Sequence, residues 1–496
     1  MSRPKSACWA EGDVMQYVST RGGIAPVGFI QAVLMGLADD GGLLVPEQLP
    51  QLSASTLEHW RGLSYQELTL ELFSLFAGDE LPRADLHAII DASYATFTHP
   101  EVTPLHRLQD DLYLLELFHG PTFAFKDVAL QLLGNLYAHI SQQTGAVIHI
   151  LGATSGDTGA SAIAGVRGKP GVRICILYPQ GRVSEVQQLQ MTTIHDDNVL
   201  NLAIEGTFDD AQRIIKELFG DAAFKEHYHL RAINSINIAR ILAQITYYFY
   251  AYFRVTEQQP GVKISFSVPT GNFGDIFAGY LAKRMGLPVE RLILATNEND
   301  ILVRFVQEGE YQPAAFRSTH SPSMDIQVAS NFERYLYYLY GEDAAKVRGL
   351  MDDFKAQGFL KVPDADLAQV QTDFAAQSVS NQACLNTIVQ TYRDSGYLLD
   401  PHTACGVAAA TGTLEGVTVA LATAHPAKFN EAIALGGLEQ NFPPQISALF
   451  GLPQRQQVTQ ASSEAVRQQL VTFFGPSTPA DDALPDDRTD QTVPVG

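Results

Sequence analysis

Leu112-Tyr113-Leu114-Leu115-Glu116-Leu117 leads through Phe118-His119-Gly120-Pro121-Thr122-Phe123-Ala124-Phe125-Lys126-Asp127 into a helical stretch, Asp127–Ser141. A second apolar run follows at Val147–Leu151. Short apolar runs bounded by turn residues read as strands, and the longer pattern between them reads as a helix. The alternation continues. Strand-like runs lie at Val172–Tyr178, Leu200–Ile204, Leu292–Ala295 and Val417–Ala422, and Asp209–Phe219 is a further helical stretch. Strand–helix–strand alternation predicts an α/β fold with mainly parallel strands. Ligands in such folds sit at the C-terminal ends of the strands.

Residues 1–105 read differently, as helical patterns broken by turns such as Asp39-Asp40-Gly41-Gly42, and are expected to form a separate N-terminal domain. Residues 106–260 and 261–475 are then two α/β regions. The tail at 476–496 is rich in Pro, Asp, Thr and Ser and is expected to be disordered. With 496 residues and 46% hydrophobic content, the chain can bury a core for two or three domains. A net charge of -21 argues against nucleic acid and anionic lipid as partners. Any anionic ligand must therefore be held by a local pocket against an unfavourable global field. The four cysteines (Cys8, Cys175, Cys384, Cys405) are scattered, so neither a disulfide framework nor a structural zinc site is expected. No apolar stretch is long enough to span a membrane and no signal-peptide pattern is seen, so a cytoplasmic protein is expected.

Four segments carry candidate chemistry. Lys126 lies at a strand–helix junction, close behind Phe123 and Phe125. Desolvation lowers a lysine pKa, and a neutral amine can attack a carbonyl. A lone lysine at a helix start is more often a surface residue. Val268-Pro269-Thr270-Gly271-Asn272-Phe273-Gly274-Asp275 follows an alternating strand and precedes the helical stretch Ile276–Met285. Its glycines and helix N-terminus suit a phosphate, or equally a plain turn. No Lys-Ser or Lys-Thr follows, so it is not a nucleotide P-loop. Gly152-Ala153-Thr154-Ser155-Gly156-Asp157-Thr158-Gly159-Ala160-Ser161 suits a carboxylate or phosphate, or equally a helix cap. In Asn234-Ser235-Ile236-Asn237-Ile238-Ala239-Arg240, helical spacing puts Asn237 and Arg240 on one face. Arg240 could clamp a phosphate, although a solvated ion pair is the commoner use of such a residue.

Together these segments resemble the threonine synthases, in their longer bacterial and fungal form, a branch of the type II fold pyridoxal-phosphate enzymes. The resemblance runs in order through Tyr17-Val18-Ser19-Thr20-Arg21-Gly22, Phe118–Thr122 with Phe125-Lys126-Asp127, and Ala153–Gly159. It continues through Asn234–Asn237, Gly271–Asp275 and Thr423-Ala424-His425-Pro426-Ala427-Lys428-Phe429, covering roughly residues 14–450. It implies parallel-sheet domains with a mostly helical N-terminal domain.

The resemblance also implies roles. Lys126 is the Schiff-base lysine of pyridoxal 5'-phosphate. Gly271, Asn272, Phe273, Gly274 and Asp275 hold the cofactor phosphate, and Thr403 meets the pyridine nitrogen. Thr154, Ser155 and Thr158 hold the substrate, and Asn234, Ser235 and Arg240 clamp its phosphate. The implied reaction converts O-phospho-L-homoserine and water to L-threonine and phosphate, with Lys126 as proton shuttle, in a monomer or homodimer. Many relatives in the wider fold carry Asn where this chain has Asp157. An ionised Asp cannot donate to the cofactor's ring oxygen, so its role is open. A sister dehydratase or phospho-lyase would share Lys126 and the Gly271–Asp275 loop, and a scaffold without catalysis would keep the fold alone.

Overall fold

A computed structural model describes residues 15–411 and 416–475. The tail expected to be disordered, 476–496, lies outside the described residues, as do residues 1–14 of the N-terminal segment. Two large parallel sheets carry the architecture. The five-stranded sheet runs Gln457–Gln460, Val199–Glu205, Val172–Pro179, Ile148–Ala153, Leu230–Ala232, with every neighbouring pair parallel. The six-stranded sheet runs Phe374–Ser378, Val289–Thr296, Ile264–Pro269, Val417–Ala422, Leu112–Glu116, Leu105–Arg107, and only its last pair is antiparallel. Ile148, Ile150, Leu151, Ile174, Cys175, Ile176 and Leu177 are all buried. Near-continuous apolar strands of this kind belong to parallel sheets covered by helices on both faces. The α/β expectation thus holds.

The sheets are not consecutive blocks of chain. Leu112–Glu116 precedes the five-stranded sheet in sequence but pairs in parallel with Val417–Ala422, and Gln457–Gln460 returns to pair with Val199–Glu205. A division at residue 260 therefore does not separate them. Strand pairing over such separations depends on which face each strand buries, which no local pattern encodes. Nor does the N-terminal segment keep a core of its own, because one buried apolar cluster extends from Met15 to Leu421. Tyr65 packs edge-on against both Tyr94 and Tyr250, joining two N-terminal helices to the central helix Ile238–Gln258. That central helix is 21 residues long and buried on nearly every side, as an all-round apolar helix requires. Glu333 completes the joint, accepting from Thr20 at 2.6 Å and from Arg21 at 2.9 and 2.7 Å. Among the described residues no helix is long and apolar enough to cross a membrane.

One packing contact positions the site. The helices Lys126–Thr144 and Asp157–Val166 meet backbone to backbone. A Cβ on Gly134 would lie 2.1 Å from the Gly165 carbonyl oxygen, and one on Gly165 would lie 2.5 Å from the Leu130 carbonyl oxygen. Only glycine permits this approach. It brings the first residues of the two helices, Lys126 and Asp157, to a common rim.

Candidate active site

Lys126 opens its helix. The segment before it is pinned across the end of Val417–Ala422, where Phe125 N–H donates to the Thr423 carbonyl at 2.8 Å and His425 N–H to the Phe123 carbonyl at 3.0 Å. Phe123 takes a left-handed conformation, φ +61°, to make that turn. The Lys126 Nζ lies 3.3 Å from Asp157 Oδ2 and 4.8 Å from the centroid of the Phe125 ring. Burial lowers its pKa, the charges of Lys428 and Arg240 add to the lowering, and Asp157 opposes it. The desolvated amine anticipated from the flanking phenylalanines is present. Phe125 shields it, whereas Phe123 turns toward His425.

Asp157 is an ionised carboxylate with four partners. Oδ1 accepts from Gln187 Nε2 and pairs with Lys428 Nζ, both at 2.9 Å, while Oδ2 faces Lys126 Nζ and Ser323 Oγ at 3.3 Å each. Burial alone would raise its pKa, but Lys428, Lys126 and Gln187 together hold it well below the usual carboxylate range.

The loop after Ile264–Pro269 closes the opposite side. Phe273, at φ +64°, caps the helix Gly274–Arg284 from a left-handed conformation. A non-glycine residue there costs on the order of 1 kcal/mol and needs its surroundings to hold it. Here the ring is packed against Phe332, Tyr335 and Phe374. The loop backbone is crowded. A Cβ on Gly271 would sit 2.8 Å from the Ser323 carbonyl oxygen, and one on Gly274 would sit 3.1 Å from Asn331 Nδ2. Asn331 ties this loop to the other phosphate candidate, donating from Nδ2 to the Ser235 carbonyl at 3.1 Å and to the Asn272 carbonyl at 3.2 Å. Asp275 accepts from Tyr247 at 2.5 Å and Tyr248 at 2.8 Å through Oδ1, and burial pushes its pKa up to about 6. Its Oδ2 is unpartnered among the described residues.

Arg240 projects from the first turn of the central helix and is 3% exposed. Its Nε and Nη1 have no partner among the described residues, and burial lowers its pKa to about 10. A cation at a helix N-terminus is already disfavoured by the dipole. A buried, unpaired guanidinium placed there is poor for stability and well suited to an anionic ligand.

These groups line one cavity, partly open to solvent, with a free volume of about 80 Å³. Lys126, Gly271, Asn272, Phe273, Gly274, Asp275, Thr158, Ser235 and Arg240 all face it. Four expected residues do not. Thr154 spends its hydroxyl on the N–H groups of Gly156 and Gly159, at 3.0 and 2.9 Å, shaping the loop that starts the Asp157–Val166 helix. Ser155 is exposed on the tip of that loop. Asn234 accepts from Ile236 N–H at 3.3 Å. Thr403 donates to Asp400 and accepts from Thr423 N–H at 3.2 Å. Asn237, expected to share a helix face with Arg240, is instead the helix cap, and its Nδ2 donates to the Val33 carbonyl at 2.9 Å. An Asn side chain bonds the first free N–H groups more readily than it continues a helix.

Lining residues not anticipated include Gln244, Ser323, His402 and Thr423. His402 is fixed by Asp400 at 2.8 Å on Nδ1 and receives the Ser323 N–H on Nε2 at 3.1 Å. Lys428, buried behind Asp157, stood within a quoted motif but had no assigned role. Thr423 stood in the same motif, and Gln244, Ser323 and His402 carried no local signal. The donor set fits pyridoxal phosphate: a desolvated amine for the aldehyde, a glycine-lined helix N-terminus for its phosphate, and an unpaired arginine for a second anion.

Comparison with known proteins agrees. Residues 16–94 match the family described as threonine synthase N terminus, 96–423 the pyridoxal-phosphate dependent enzymes, and 403–470 the threonine synthase C-terminal family. The threonine synthase of Pseudomonas aeruginosa is 48% identical over 446 residues, covering 89% of this chain and 95% of that protein. That of Schizosaccharomyces pombe is 46% identical over 457 residues, covering 85% and 89%. The crystal structure of pyridoxal-phosphate-bound threonine synthase from Brucella melitensis superposes with a TM-score of 0.89 at 45% identity, covering 92% of this chain and 99% of that one.

Proposed function

The chain belongs to the pyridoxal-phosphate dependent enzymes, among their threonine synthases, and from that premise we propose that it converts O-phospho-L-homoserine and water to L-threonine and phosphate. The observation that carries this reading is the pairing, in one cavity, of the desolvated Lys126 amine with two separate anion seats: the Gly271–Asp275 loop and the unpartnered Arg240. One seat takes the cofactor phosphate and the other the phosphate of the substrate. Pyridoxal phosphate, when bound, supplies the electron sink for carbanion chemistry.

The protein supplies the rest. Lys126 Nζ, its pKa lowered by burial, accepts the proton from the substrate α-carbon and carries protons in the later steps. General acid–base catalysis of this kind contributes about 10² to 10⁴-fold. Asp157 stays ionised and receives the ammonium that Lys126 becomes. Arg240 orients the substrate phosphate and stabilises the charge that grows on the leaving oxygen. Ser235 and Thr158 flank that phosphate, while Thr154 and Asn234 act by shaping the loops that present them.

The test is simultaneous measurement of phosphate and threonine from O-phospho-L-homoserine, with and without pyridoxal phosphate. Equimolar products that depend on the cofactor are expected. Lys126→Ala should lose activity, and borohydride should fix the cofactor mass on Lys126 in the wild type. Ammonia and a keto acid as the main products would overturn the reading.

A further inference from the structure

The second buried lysine next to the site has no part in the reaction proposed above. Lys428 is 0% exposed in its side chain. Its Nζ donates to the Thr122 carbonyl at 2.6 Å and to Gln190 Oε1 at 2.9 Å, and it pairs with Asp157 Oδ1 at 2.9 Å. Three acceptors match the three donors of an ammonium, so the group is saturated and its direction fixed. It stands on the short turn Pro426–Phe429, which follows the segment that pins Lys126. The two oxygens of Asp157 are thus divided between two lysines, Oδ1 to Lys428 and Oδ2 to Lys126.

We propose that Lys428 is a positioning residue: it neutralises Asp157 from behind, so that the ionised Asp157–Lys428 pair acts on Lys126 as a neutral hydrogen-bond acceptor rather than as a full counter-ion. This rests on Lys126 being the Schiff-base lysine. A buried carboxylate beside a buried lysine ordinarily favours the ammonium form, which would disable the amine as a nucleophile and base. A second cation on the far oxygen cancels most of that attraction while leaving Oδ2 free to accept from Nζ. It also answers the question raised by an aspartate at this position. The charged aspartate does not leave the site net negative, because Lys428 enters with it.

Other charges face this pair. Asp127, on the lysine helix, accepts from Thr122 and Ser161 and feels Lys428. Arg240 on the central helix and Asp275 on the helix Gly274–Arg284 both act on Lys126. His425, whose pKa burial lowers to about 4, is neutral near pH 7 and adds no charge. Among these, Lys428 alone is both saturated and in contact with Asp157.

The experiment measures the Lys126 amine in apoprotein, by the pH dependence of its acetylation rate read by peptide mass spectrometry. The pH titration of the visible absorbance of the holoenzyme is followed alongside. Lys428→Met should move the midpoint upward and slow labelling at neutral pH, about tenfold per unit of upward shift. Asp157→Asn should move it downward, and the double variant Lys428→Met/Asp157→Asn should return it close to wild type. Lys428→Arg should also restore it, whereas a merely structural lysine would show no compensation. A folded Lys428→Met with an unmoved midpoint, or a double variant displaced as far as either single, overturns the proposal. A wild type in which borohydride fixes no cofactor on Lys126 would instead overturn the functional reading beneath it.

Discussion

Replacing Arg240 with methionine should raise the stability of the apoprotein and weaken its use of substrate. The burial that lowers the guanidinium pKa from 12.5 to about 10 is a penalty on the charged form. At about 1.36 kcal/mol per unit, the penalty is on the order of 3 kcal/mol. For a base with a depressed folded pKa the penalty is present in full at neutral pH and is relieved only as pH rises through the folded value. Between pH 7 and 8, therefore, the variant recovers most of it. Methionine fills much of the space of the arginine stem, so little packing is lost. A gain of about 1 kcal/mol corresponds to roughly 2–4 °C for a domain of 150–250 residues, and a rise of a few degrees in Tm is expected. In the opposite direction, hydrogen bonds to charged groups contribute about 1.5–3 kcal/mol each. Losing the clamp on the substrate phosphate should lower kcat/KM by about 10²-fold or more. Thermal unfolding of the apoprotein and steady-state phosphate release give the two numbers. An apo variant melting several degrees below wild type, or one with unchanged kcat/KM, would refute the reasoning.

Asp275 makes stability depend on acid. Its folded pKa of about 6 lies above the ordinary 3.8, so the folded state holds more protons between those values and stability should fall as pH rises from about 4 to 6. The loss is on the order of 3 kcal/mol, and it should vanish in Asp275→Asn. Denaturant titrations of the two proteins from pH 4 to 7 test this, and parallel curves would contradict it. Gly271→Ala places a Cβ 2.8 Å from the Ser323 carbonyl oxygen. Overpacking of this kind costs about 1–3 kcal/mol, so cofactor affinity measured by absorbance titration should drop by roughly tenfold or more. Unaltered affinity would place the cofactor phosphate elsewhere.

The sequence was most informative where the chemistry is local. The apolar runs Leu112–Leu117, Val147–Leu151 and Val172–Tyr178 are long enough to be strands and bounded by turns, and they form strands at Leu112–Glu116, Ile148–Ala153 and Val172–Pro179, each end within two residues of the run. Lys126 and the Gly271–Asp275 loop lie at strand–helix junctions, where the chain must turn and backbone N–H groups are free. Their place in the cavity follows from that position. Thr154 and Thr403 do not line the cavity, for a local reason. A hydroxyl or carboxylate near a helix start is used up by the nearest donor or acceptor: Thr154 accepts from Gly156 and Gly159 in its own loop, and Thr403 donates to Asp400 three residues back while accepting from Thr423 N–H.

The sequence by itself determined the fold class, through strand–helix alternation along the chain, and singled out Lys126 and the Gly271–Asp275 loop as candidates, because each is a pattern spanning only a few residues. Tertiary structure alone decided the electrostatics. Gly134 and Gly165 let two helices touch and set Asp157 beside Lys126. The turn at Pro426–Phe429 delivers Lys428 to the far oxygen of the same carboxylate across about 270 residues. Whether Arg240 is a paired surface cation or a buried, unsatisfied one depends on which elements cover it. Charge and burial are sums over neighbours in space, and the order of residues along the chain does not supply those neighbours.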